Sequence, residues 1–152
     1  MLENLRESLR RGDISNIIQI SRDLDFSETQ IRDIFLSAAI EAQSIIPYTV
    51  LCGILIKEET SLLHAFASYM LSSVLCWIEG AYFAGYYHQK KAIELAPDDV
   101  KHKEFMLMYN SIPDKPLSDE DALILRKEIL KTSPNSEIVK NHFASERFCG
   151  KF

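Results

Sequence analysis

The chain has 152 residues, 47% of them hydrophobic and 26% charged, with five glycines and five prolines. That length and composition suit one globular domain and exclude a collagenous, disulfide-rich or disordered chain. A formal net charge of -5 repels phosphate backbones, so nucleic acid is not expected as a partner.

Helical periodicity runs through nearly the whole chain, and no strand alternation stands out. Leu2 to Arg11 reads as a short amphipathic helix ended at Gly12, with Asp13 as N-cap of the next helix, "ISNIIQISRDL". The opening "MLENLRESLRRGD" lacks the apolar segment and small-residue cleavage site of a secretory signal. Ser27 and Gln30 form a capping-box pattern before a helix that places Ile31, Ile34, Phe35, Ala38 and Ala42 on one face. Pro47 suits the first helical position of "PYTVLCGILIKEE".

Thr60 then caps a long apolar helix that is expected to end at Gly80. No formally charged residue occurs from Thr60 to Ile78, a length that raises the question of a membrane span. Ser61, His64, Ser68, Ser72 and Ser73 interrupt the run, and it has no basic cluster on one side, so a central packed helix is expected instead. A second helix follows Gly80, in which Tyr82 with Tyr86 and Phe83 with Tyr87 make two aromatic tracks at helical spacing. One track suits the core and the other a protein contact.

Asp98 and Asp99 favour a new helix from Val100 to Ser111, acidic at the positive end of its dipole. Pro113 and Pro116 break the chain, Ser118 opens "DEDALILRKEILK", and Pro134 precedes a last helix expected over 136–147. The fold class is therefore all-α, with stacked antiparallel helical hairpins in one domain over 1–152. Three cysteines, two of them in apolar runs, suit free thiols in a reducing compartment, so a cytoplasmic location is expected. Cys149 is fourth from the C-terminus, but Gly150, Lys151 and the absence of a polybasic tract make a poor prenylation signal. Phe143, Phe148 and Phe152 are expected to dock the last helix or to remain partly frayed.

No spacing of catalytic chemistry is present. The four histidines are scattered, no H-E-x-x-H, paired C-x-x-C or G-x-S-x-G occurs, and the phosphate-binding glycine motifs are missing. A non-enzymatic protein is expected, with no cofactor and no metal.

The hairpin running to "KKAIELAPDD" resembles a tetratricopeptide repeat. With Pro97 as the closing proline, Tyr69 and Ser73 fall on the family's first-helix aromatic and small positions, Gly80 on its turn, Tyr82, Gly85 and Ala92 on its second helix. Ser72 and Cys76 depart from the leucine and tyrosine the pattern prefers. The resemblance covers about 66–99 clearly and, in degenerate form, about 100–136. Pro134 lies 37 residues after Pro97, against a family period of about 34.

The N-terminal helices, 1–59, are expected to supply neighbouring layers to the hairpin of 60–99 and the remainder, 100–152. The resemblance implies a solenoid whose first helices face a partner protein or peptide. The residues so implied are Ala67, Met70, Val74, Trp77 and Ile78, an apolar set that either receives a hydrophobic partner segment or is filled by the N-terminal helices, and the aromatic tracks add Tyr86 and Tyr87. An adaptor, a chaperone or an immunity protein with a basic partner fits the charge, and homodimerisation through the aromatic track is a further reading. The alternative function is a small helical enzyme or ligand carrier with an apolar pocket near Trp77 and His64.

Overall fold

The computed structural model describes residues 2–23 and 28–142, and the described residues are helical with no strand. The elements are α1 (Leu2–Arg11), α2 (Ile14–Asp23), α3 (Glu28–Ala42), α4 (Ile46–Lys57), α5 (Ser61–Tyr69), α6 (Ala81–Leu95), α7 (Val100–Met106), α8 (Met108–Ser111) and α9 (Asp119–Thr132). Residues 137–142 are helical as well. Ser27, Cys149 and the three C-terminal phenylalanines lie outside the described residues.

Local chemistry sets most helix starts. Side-chain oxygens of Asp13, Thr60, Asp99 and Ser118 accept from the backbone N–H groups of Asn16, Leu63, Lys101 and Asp121, at 3.1, 3.2, 2.9 and 3.1 Å. Each satisfies an amide that the first helical turn leaves without an intrahelical partner. Pro47 stands in the first turn of α4, one residue after its start at Ile46, where a missing N–H costs nothing.

The expectation of one helix from Thr60 to Gly80 is corrected. From Met70 to Val74 the helix widens into a π turn, closed by a hydrogen bond of 2.9 Å from Leu75 N–H to the Met70 carbonyl. The chain then leaves the helix at Leu75, which is fully buried. Gly80, at φ +80°, is the N-cap of α6 and not the end of α5. A left-handed backbone there strains any residue with a β-carbon. No helix among the described residues is long and apolar enough to cross a membrane.

The expected helix from Val100 to Ser111 is likewise interrupted at Leu107, between α7 and α8. The Leu107 carbonyl accepts from Asn110 N–H at 3.1 Å and from His142 Nε2–H at 3.1 Å. Drawing that carbonyl toward a buried side chain diverts it from the regular ladder.

Helices α5 and α6 form an antiparallel hairpin. His64 meets His88, while Ser68 and Leu71 meet Gly85, so numbers fall along one helix as they rise along the other. Two apolar cores flank α6. The first gathers Leu5, Leu9, Ile17, Phe35, Leu51, Phe66 and Met70, with Ala84 packed against it. The second gathers Met106, Leu107, Tyr109, Ala122 and Ile129, with Tyr82, Tyr86 and Ile93 packed against it. Each fully buried aliphatic or aromatic side chain stabilises by about 1.5–3 kcal/mol, so both faces of α6 contribute to the fold.

Candidate functional site

The residues implied as a partner surface differ in burial. Ala67 and Met70 have no exposed surface: they are part of the first core, beside Phe35 of α3 and Leu51 of α4. This corrects their place in a contact surface, because the N-terminal helices already cover that face of α5. Val74 and Ile78 are partly buried against the same core. Tyr86 packs edge-on to Tyr109, with ring centroids 5.8 Å apart. Trp77, at 63% exposure, and Tyr87, at 56%, are open to solvent.

Trp77 and Val74 line a groove of about 500 Å³, whose other walls are Ala39, Ile40, Gln43 and Ser73. Its volume is within the range of ligand and peptide pockets, about 300–1,000 Å³. Ile40 on its rim is 61% exposed. The π turn shapes one wall, since the extra residue widens the helix where Ser73 and Val74 face α3. The opposite wall ends at Gln43, which takes φ +44° just past the end of α3. Glycine or asparagine more commonly occupies that place.

Of the serines that interrupt the apolar run, Ser68 lies at the contact between α5 and α6. Ser68 Oγ lies 2.7 Å from the Tyr109 hydroxyl, and Ser72 Oγ donates to the Tyr69 carbonyl at 3.3 Å. The Ser68 carbonyl lies 3.4 Å from the place of a β-carbon on Gly85.

His64 is not among the residues that line this groove. It is in the first turn of α5, ten residues before Val74, a rise of about 15 Å along a helix. His64 instead belongs to a polar chain across three helices. Its Nε2 is 3.0 Å from Glu59 Oε1, its Nδ1 is 2.8 Å from His88 Nδ1, and His88 Nε2 is 2.9 Å from the Tyr48 hydroxyl.

Both imidazoles are buried, whereas the Glu59 carboxylate is largely exposed. Burial, aided by the nearby His64, holds His88 down to about 4 from an ordinary 6.5. Burial also pushes the Tyr48 phenol up, reinforced by Cys52 and then Tyr87. Tyr48 therefore stays a neutral donor or acceptor near neutral pH.

The thiols are less buried than their apolar surroundings suggest: Cys52 and Cys76 are both partly exposed and free. Cys76 is in the turn after the π segment and donates to the Ser73 carbonyl at 3.7 Å. Among the described residues no group of three or more His, Cys, Asp or Glu side chains is arranged to hold a metal ion.

Sequence reasoning missed Ile40 and Gln43, and it missed the pairing of His64 with His88. The available signal for the first was an isoleucine off the face that carries Ile34, Phe35 and Ala38. The second had none, because 24 residues and a turn separate the two rings. No family model matches the chain, and neither does any curated protein or solved structure.

Proposed function

We propose that the chain is a non-enzymatic protein-binding module whose contact surface is the groove between the end of α3 and the π turn. The observation that carries this reading is an exposed tryptophan, Trp77, beside an exposed Ile40 on the rim of an apolar groove. Tryptophan offers a large rigid surface at low entropic cost, and such residues anchor interfaces out of proportion to their number. Val74 and Ala39 provide an apolar floor for an inserted side chain.

The partner we propose is a protein presenting an apolar segment within a basic surface. Exposed Glu41 and Glu79 are close in sequence to the two walls, and the whole chain carries a net charge of -5. Complementary charge would speed encounter and align the segment before the apolar contact forms. An adaptor, a chaperone or an immunity protein against a basic toxin is the kind of role this surface suits. The resemblance to tetratricopeptide repeats supports peptide or protein recognition as the mode.

The test is affinity capture from the native host with the wild-type chain, Trp77→Ala and Ile40→Glu as parallel baits. A protein retained by the first and lost by both others, with circular dichroism and thermal unfolding unchanged, supports the reading. Equal retention by all three baits contradicts it.

A further inference from the structure

We propose that His64 and His88 form an acid-sensitive latch that ties α4 and the loop after it to the α5–α6 hairpin. The titratable groups at the pair and next to its partners come from α4, the loop after it, α5 and α6. Tyr48 and Cys52 lie on α4, Glu59 in the following loop, His64 on α5, and Tyr87, His88, Lys91 and Glu94 on α6.

The geometry admits one proton between the rings. Their Nδ1 atoms are 2.8 Å apart, so one must donate and the other accept. The outer nitrogens are engaged already, by the Glu59 carboxylate on one side and the Tyr48 hydroxyl on the other. With His64 neutral, its Nε2–H donates to Glu59, His88 Nδ1–H donates to His64, and the Tyr48 hydroxyl donates to His88 Nε2. One added proton leaves every ring nitrogen still bonded, since the Tyr48 hydroxyl turns to accept from His88 Nε2–H.

The first proton on the pair thus moves no heavy atom. A second proton sets N–H against N–H at 2.8 Å, between rings that are only 5% and 7% exposed. The folded pair therefore takes up one proton fewer than two free imidazoles.

The sign follows from linkage. His88 binds its proton more weakly folded than unfolded, so its contribution to stability is complete above about pH 6.5. That contribution is lost as pH falls toward about 4, the level at which burial and His64 hold His88. Within that window the opening equilibrium should grow by up to about tenfold per pH unit. Opening separates Tyr48 from His88 and Glu59 from His64, which frees residues 46–60 from the hairpin.

Two measurements on the full chain test the latch. The first is nitrogen-15 NMR of the wild-type histidine rings at pH 7, where a scalar coupling between the two Nδ1 nuclei through the shared proton is expected. The second is amide hydrogen exchange over residues 46–60 from pH 7 to pH 4.5, corrected for intrinsic rates, in the wild type and in His88→Asn. The wild type should open more as pH falls, and the variant should show a much flatter dependence, the difference isolating His88 from His102 and His142. If His88→Asn does not fold, the wild-type coupling and exchange decide alone. Absence of the coupling with both rings titrating independently near the ordinary histidine value, or wild-type opening that does not change with pH, overturns the proposal.

Discussion

The phenol oxygen of Tyr109 occupies the space that a β-carbon on Gly85 would need, and it lies 2.7 Å from Ser68 Oγ. The bare backbone of α6 thus makes room for a fully buried tyrosine from α8 that reaches through to α5. Gly85→Ala gains about 1 kcal/mol of helix propensity, but overpacking a filled core costs about 1–3 kcal/mol or more. Net destabilisation is expected, because Leu71 and the Ser68 carbonyl also confine the new methyl at 3.4 Å. Tyr109→Phe alone should cost about 1–2 kcal/mol through the lost hydrogen bond. In the double variant the removed hydroxyl admits the new methyl, so the two effects should sum to less than their separate costs. Urea unfolding of the four proteins measures this.

Met70 and Trp77 were expected on one surface, yet they should respond oppositely to truncation. Met70 is fully buried in the first core, and Met70→Ala should destabilise by about 2–5 kcal/mol. Trp77 is 63% exposed, so Trp77→Ala should change stability by about 1 kcal/mol or less while abolishing capture of the partner. Thermal unfolding and pull-down, run on both variants, separate the roles.

Gln43 offers a trade between stability and contact. Its left-handed backbone, φ +44°, is relieved in Gln43→Gly, which should stabilise by about 0.5–1 kcal/mol. The same change removes a side chain from the groove wall and should weaken partner binding. Urea midpoints together with titration calorimetry on the captured partner give both numbers.

The caps on α5 and α9 are far apart in sequence and belong to different parts of the molecule. Thr60→Ala and Ser118→Ala should each cost about 1 kcal/mol, since each leaves one backbone amide without its side-chain acceptor. Their effects should add in the double variant, as read by chemical denaturation.

The four capping residues were legible because a cap depends on residues only two or three positions away. The all-α class was legible from periodicity. The end of α5 was not, because no glycine or proline lies between Met70 and Glu79. The π turn and the burial of Leu75 set that boundary through tertiary packing. For the same reason the groove was half visible. Val74 and Trp77 could be named from one hairpin, but Ala39, Ile40 and Gln43 come from α3, and nothing local links the two. Ala67 and Met70 were assigned to a surface because an apolar helix face looks the same whether a partner or the chain's own α3 and α4 cover it.

Trp77 is the single tryptophan of the chain, so its fluorescence reports on the proposed contact without labelling. The most direct measurement is its emission and acrylamide quenching, first for the chain alone across concentrations and then with the protein retained by the wild-type bait. Alone, emission should be solvent-like and readily quenched at every concentration. With the partner it should shift to the blue and lose most of its quenching. A partner that binds while Trp77 stays solvent-like and fully quenchable would place the contact elsewhere, and a blue shift with concentration alone would mean that this groove is covered by a second copy of the chain.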